Sequence, residues 1–439
     1  MTLSFFIYTT TPVVWADSSK EEEKASSKSS FSERAETGFR DPVGWHYYWR
    51  DGYLGIDSRE ENIKFEINGH IHVDGGSIIA DDELKNAFPE LDGSEILLRN
   101  LKLSVYGNFY DKIDFDIGID FANVRDIQDV WIRYLGHPIL KKFKMGHIKE
   151  PFSLEYLTSI NRITFMERSL PDQAFGFGRN IGIRYDSLES DKRINWGAGA
   201  FYNTGSFSSL GDAQSRVSES NGFDLTARVF GLPVYAEKGK TLLHLGLGFN
   251  YALRDEDEDD PSQQIRARPE SRLTDIRLVD TGKTAGKKRN TVNTELAMVF
   301  GPWSFQGQYY NTFIDSNAAG DPNFWGYYVF LSYFVTGERR KYNPSLGIFT
   351  GVDPQPSFHP RKGDWGAVEI AARHSYVDLN DGNVSGGQES NISTGLNWYH
   401  NRNVRLMFNY THAYLKNRES PIVENGRTHI IQARFQFIF

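Results

Sequence analysis

The side chains best placed for chemistry in this sequence are cations set at every second position among polar residues. Lys64, Lys102, Arg133, Arg373, Arg405 and Arg434 each sit on the polar parity of an alternating run. An arginine fork donates two parallel hydrogen bonds to a carboxylate or phosphate, while lysine supplies a mobile point charge. Such residues can attract small oxyanions, or they can brace a wall through salt bridges to acids such as Glu150, Glu155, Glu167 and Glu369. Asp114, Asp116 and Asp120 share the same polar parity and temper any positive field. Catalytic signals are poorer. Gly239-Lys240-Thr241 and Gly282-Lys283-Thr284 look like the end of a phosphate-binding loop, but both lack its earlier glycine and following helix. His-Glu-x-x-His and Gly-x-Ser-x-Gly are absent from the sequence. His70 and His72 lie on one strand face, where polar lining is a simpler role than metal ligation. Cysteine is absent, which removes disulfides, thiol nucleophiles and iron–sulfur clusters together. The expectation is a protein without enzymatic activity, cofactor or metal.

The elements that must carry these cations repeat with a period of two. Ile63, Phe65, Ile67, Ile71 and Val73 alternate with Lys64, Glu66, Asn68, His70, His72 and Asp74. Ile113, Phe115, Ile117, Ile119 and Phe121 alternate with Asp114, Asp116, Gly118 and Asp120. Strand side chains alternate between faces, so each run has one oily and one wet surface. Sixteen such runs follow, at 62–74, 95–110, 112–122, 126–135, 140–149, 179–187, 192–203 and 221–231, then 241–253, 290–301, 302–314, 325–337, 364–377, 388–400, 402–415 and 427–439. Tight junctions such as 110–112 alternate with long ones at 75–94, 150–178, 254–289 and 338–363. That pattern predicts an all-β, transmembrane antiparallel barrel with short turns at one end and long loops at the other. A soluble sandwich would invert the faces, oily inside and wet outside.

Composition agrees. The 439 residues carry a net charge of −8, which argues against nucleic-acid binding. Aromatics reach 14% on a mean hydropathy of −0.50. Tyr and Trp at the run ends, among them Trp303, Tyr309, Trp325, Tyr327 and Trp398, suit the girdles found at membrane interfaces. Residues 1–16, apolar and ending in Val-Trp-Ala, read as a cleaved signal peptide, and 17–44 as a polar periplasmic segment before a barrel at 45–439. Export to a Gram-negative outer membrane follows, with lipid and lipopolysaccharide as the surroundings.

Three stretches resemble the phosphate-selective porin O/P family. The first is Gly146-His147-Ile148-Lys149-Glu150-Pro151-Phe152, with Phe165-Met166-Glu167-Arg168-Ser169 and Arg179-Asn180-Ile181-Gly182. The second is Arg266-Ala267-Arg268-Pro269-Glu270 with Val279-Asp280-Thr281-Gly282. The third runs from Val335-Thr336-Gly337-Glu338 through Gly366-Ala367-Val368-Glu369-Ile370-Ala371-Ala372-Arg373 to Gly395-Leu396-Asn397-Trp398-Tyr399. The resemblance covers about residues 45–439. It implies a sixteen-stranded, trimeric channel with the loop after the fifth strand folded into the bore. That loop would add Arg162 and Arg168 to the lumen, with Lys149 at its root and Arg179 at its exit. Arg266, Arg268, Arg272 and Arg277 resemble the cationic stairway of phosphate-selecting members, although the acidic run Asp255–Asp260 just before it opposes anion attraction. The expectation is passive diffusion of small anions, phosphate or polyphosphate among them, past a cationic constriction. A general or organic-acid porin and a structural or adhesive barrel, its loops at 254–289 and 338–363 binding partners outside, are the alternatives.

Overall fold

In a computed structural model the chain is described over residues 37–439, except 51–52, 61, 123–125, 139–142, 188–192, 206, 210–211, 213, 216–221 and 255–262. The expected leader, most of the polar segment and the acidic run Asp255–Asp260 therefore lie outside the described residues.

Sixteen strands close into one antiparallel barrel. They are β1 (Ile63–Ala80), β2 (Gly93–Phe109), β3 (Ile113–Asp120), β4 (Asp126–Tyr134), β5 (Phe143–Lys149) and β6 (Arg179–Asp186). β7 (Ile194–Tyr202), β8 (Gly222–Ala236), β9 (Thr241–Arg254), β10 (Lys288–Phe300) and β11 (Trp303–Asp315) continue the wall. It ends with β12 (Asn323–Phe334), β13 (Ala367–Asp381), β14 (Val384–Tyr399), β15 (Val404–Glu419) and β16 (Ile422–Ile438). β16 pairs with β1, Arg434 opposite Asp74, which closes the sheet. Each alternating run of the sequence became one of these strands. Several strands are longer than their runs: β1 continues to Ala80 and β16 begins at Ile422 rather than 427. The bilayer needs only about ten residues of each strand, and beyond it both faces meet water, so the oily–wet alternation that marks a strand disappears.

Burial is inside out. On β16, Arg434 is 1% exposed and Gln432 and Gln436 are 2% exposed, whereas Ile431 and Phe435 are 56% and 45% exposed. The apolar face looks out, as lipid requires. Three short strands, Thr37–Arg40, His46–Arg50 and Tyr53–Asp57, form a meander whose last member pairs Leu54 with Ile67 and Asp57 with Lys64 of β1. β16 reaches only as far as His70. The meander thus covers an edge that would otherwise be open to chance pairing.

The expected segregation of short turns from long loops is incomplete: the two-residue connections 382–383 and 420–421 lie at the loop end, and one long segment lies at the turn end. Counting strands puts 81–92, 150–178, 203–221 and 255–287 at one end, here the loop end, and 110–112, 237–240, 301–302 and 400–403 at the turn end. The segment 335–366 follows the twelfth strand, so it also emerges at the turn end. It does not sit beside 255–287, as the adhesive alternative required. The reason is simple parity: an even number of antiparallel strands returns the chain to its starting side.

Three segments fold into the barrel rather than one. The first, 150–178, carries the short helices α1 (Leu154–Leu157) and α2 (Leu170–Phe175). The second comes from 263–284, where Glu270 is 1% exposed and Ser271 donates to Gln432 of β16. The third enters from the turn end: Tyr342 and Phe349 pack with Leu154, Leu232, Leu242 and Val299. Together with inward rings such as Tyr310, Phe324, Tyr328 and Phe330, the first two build a hydrophobic core inside the barrel along β11–β16 and the loop end of β1.

Candidate functional site

The wall on the β1–β7 side is left open beside this plug, and an aqueous cavity of about 740 Å³ lies there. Its lining holds seven cations, Arg99, Lys102, Lys149, Arg168, Arg179, Arg268 and Arg272, against four acids, Asp120, Asp126, Asp212 and Asp275. Local structure explains how each cation arrives. Lys102 faces inward from β2 by ordinary alternation. Lys149 and Arg179 do not, since they share the outward parity of Met145 and Ile183, which are 57% and 48% exposed. They reach the cavity because β5 and β6 leave the wall at their loop ends. Above Val130, β4 no longer pairs with β5, and Ile127 instead bridges to Phe207 of the segment after β7. Arg168 comes from the infolded segment, and Arg268 and Arg272 come from 263–284.

Charge compensation within the cavity is uneven. Lys102 and Arg179 share one carboxylate, Asp129, at 3.1 Å and 2.7 Å. Arg99 forks onto Glu167 at 2.7 Å and 3.0 Å, and Arg434 donates to the same group at 2.8 Å. Arg272 stands 3.8 Å from it. Burial alone would raise the Glu167 carboxyl, but Arg99 and Arg434 outweigh it and hold Glu167 well below the ordinary carboxylate range. Burial, then Arg99, pushes Arg272 down to about 10. Lys149 and Arg168 rest on a neutral platform: both donate to the Tyr156 carbonyl, at 2.8 Å and 3.2 Å, and lie 5.3 Å and 4.6 Å from the centre of its ring. Arg168 also approaches Asp172 at 3.4 Å. Arg268 is held by the Thr274 carbonyl and by Asp275.

The profile of the family described as phosphate-selective porin O and P matches residues 65–439, almost the whole barrel. The chain belongs to this family. Porin O of Pseudomonas aeruginosa is 24% identical over 419 residues, covering 85% of this chain and 87% of that protein. Two solved structures share the fold. The outer membrane channel DcaP of Acinetobacter baumannii has a TM-score of 0.52 at 10% identity, covering 87% of this chain and 99% of that one. An anion-selective porin from Comamonas acidovorans has a TM-score of 0.51 at 12% identity, covering 86% of this chain and all of that one. The protein is an outer-membrane porin, built as the family's channels are.

Within this porin the candidate cations divide into two groups. Lys102, Lys149, Arg168, Arg179 and Arg268 come together on the cavity. The other candidates are placed elsewhere. Arg373 is buried against Glu270 at 2.6 Å and Glu155 at 3.7 Å. Arg405 is buried too, donating to the carbonyls of Ile163 and Thr164, both at 2.9 Å. Arg133 forks onto Asp114. Arg162 is half-buried beside Gly351 of the turn-end segment. Arg266 is exposed on a two-residue pairing with Asp280. Alternation missed Arg99, which has the parity of outward Leu101 and Leu103. A bulge between the pairs His72–Asn100 and Val73–Leu98 turns it inward. No sequence signal for that bulge is evident. Among the described residues, no three His, Asp or Glu side chains are grouped to hold a metal.

Proposed function

We propose that this porin passes small oxyanions, phosphate among them, by passive diffusion through the cation-lined cavity. The observation that carries the reading is Lys149, which lines the cavity on the Tyr156 carbonyl with no ion pair among the described residues, beside Lys102 and Arg179, which share the single carboxylate of Asp129. Two unit charges 4 Å apart attract by about 1 kcal/mol in bulk water and about 4 kcal/mol at an effective dielectric near 20. A few under-compensated cations at a narrow section therefore outweigh a distant negative surface, because salt screens beyond about 8–10 Å. Arg272 and Arg268 receive the anion from the loop end, and Lys149, Arg168, Lys102 and Arg179 take it deeper. Asp120, Asp129 and Asp275 keep the hold weak enough for release. Export through the leader at 1–16, a trimeric assembly and contact with lipopolysaccharide belong to the same proposal.

Reversal potentials in planar bilayers, under a potassium chloride gradient, test it. The expected result is a clear preference for chloride over potassium, with current reduced by added phosphate. A preference for potassium would overturn the anion reading and leave the porin standing. Anion preference without competition by phosphate would mark a general or organic-acid porin.

A further inference from the structure

Below the cavity, towards the turn end, a second group of side chains lines β2–β6 in two rows. Cross-strand register sets Tyr106, Asp116, Trp131 and Gly146 level with one another. One step lower, Asn108, Asp114 and Arg133 align, and the same register brings Lys144 and Arg184 beside them. The upper row is built around the indole of Trp131, half-buried on the inward face with Tyr106 at 6.5 Å. Its neighbour on β5 has to be small: Gly146 has φ +137, and a Cβ there would meet the Val130 carbonyl at 2.1 Å and the Trp131 backbone at 2.8 Å. Gly182 faces Gly146 on β6. The Phe201 ring lies against Gly182, 2.6 Å from where its Cβ would stand, whereas the nearest atoms to Gly146 are backbone alone.

The lower row supplies charge of an unusual kind. Arg133 is neutralised by Asp114, and Arg184 by Asp186 at 2.7 Å. Lys144 makes no ion pair among the described residues. Its ammonium sits 4.3 Å from the centre of the Trp131 ring, with the Arg133 guanidinium 5.8 Å away from the same ring. A lysine held only by an aromatic face is a cation in waiting, since that contact is weaker than one with an ionised oxygen. Asp116 faces the row from β3 with its Oδ1 buried and unpartnered, a spare acceptor for a donor on a bound ring.

We propose that this row is a second subsite, selective for oxyanions that carry an aromatic ring. The ring stacks beside Trp131 over Gly146, and the anionic group draws Lys144 off the indole. A bare inorganic anion gains only the second interaction. The inference rests on the anion reading above and deepens it by naming an organic substrate class.

Block of single-channel current in the full-length protein separates the possibilities, with phenyl phosphate, cyclohexyl phosphate and inorganic phosphate as probes. Phenyl phosphate is expected to reach half-block at about one tenth of the inorganic phosphate concentration, with cyclohexyl phosphate between them. Trp131→Leu should remove the advantage of phenyl phosphate without weakening block by inorganic phosphate, while Trp131→Phe retains most of it. Circular dichroism and unit conductance identify any variant that fails to assemble, in which case Trp131→Phe and Lys144→Met carry the comparison. Equal block by all three probes, or an advantage that survives Trp131→Leu, overturns the subsite alone. Absence of block by every anion overturns the reading it rests on.

Discussion

The two sides of the barrel use inward arginine in opposite ways. On β13–β16, Arg373, Arg405 and Arg434 are at most 3% exposed, and each clamps an infolded segment through a carboxylate or a backbone carbonyl. On β2–β6 and the segments above them, Lys149, Arg168, Arg179 and Arg272 keep one side towards the cavity and share too few acids. The charge is alike in both places, although the clamps face inward by strand parity while the cavity cations arrive from strand ends that leave the wall and from infolded segments. The difference lies in what covers them: plugs with their own Glu155, Glu167 and Glu270 on one side, water on the other. Cations of the first kind hold the shape of the bore, and cations of the second kind are free to meet a solute.

The largest effect should come from the clamping side. Arg373→Ala leaves Glu270 and Glu155 buried without their counter-charge, and breaking such a pair costs about 3–5 kcal/mol. The expected outcome is a lowered unfolding midpoint in detergent together with a raised, noisier unit conductance, as 263–284 loosens. An unchanged midpoint would mean that the pair is dispensable and the two sides are not distinct.

Next comes the cavity. Replacing Lys149 and Arg168 together by glutamine should lower the chloride-to-potassium permeability ratio about tenfold, a loss of ~1.4 kcal/mol, with little change in stability. Arg405→Gln sharpens the contrast, for it should destabilise the fold while the reversal potential stays put. If Arg405→Gln moved the reversal potential as far as the double variant, clamping and conducting cations would be one population.

Arg272 sits between the two kinds, half in the cavity and 3.8 Å from Glu167. Its partly exposed position limits what it contributes, since screened pairs are worth about 0.2–1 kcal/mol. Arg272→Ala should therefore weaken phosphate block by only about two- to threefold, measured as the shift in half-blocking concentration. A tenfold loss would place the dominant anion contact on 263–284 rather than at Tyr156.

Much of this was legible in the chain, and its failures have physical causes. All sixteen strands were readable because lipid outside and water inside force strict alternation, as in Ile431–Ala433–Phe435 against Gln432–Arg434–Gln436. Alternation also gave the inward face of Arg373, Arg405 and Arg133, yet it could not tell a clamp from a conducting cation. That depends on acids such as Glu270, about a hundred residues away in sequence from Arg373 and brought there by a loop with no periodicity of its own. Arg99 was hidden by a bulge, and the turn-end plug by the same lack of period in 338–352. Lys149 and Arg179 were found through resemblance, since parity alone would have sent both to lipid.

The smallest effect distinguishes the clamp at Glu167 from an ordinary carboxylate. Arg99 and Arg434 hold its folded-state value well below that of an unfolded glutamate, about 4.3. A group depressed in this way stabilises the fold at every pH above its unfolded value, and that contribution fades only as pH falls towards the lowered folded value. Anion selectivity should accordingly stay flat from pH 7 to about 4.5 as far as this group is concerned. Further acidification should raise it, because protonated Glu167 releases Arg99 and Arg272 to face the cavity uncompensated. Glu167→Gln should show the raised selectivity already at neutral pH, with the acid step removed and the unfolding midpoint lowered. A step in the native protein centred near pH 4.3 that vanishes in Glu167→Gln would show Glu167 titrating normally, and with it the clamp, and the contrast between the two sides, would fail.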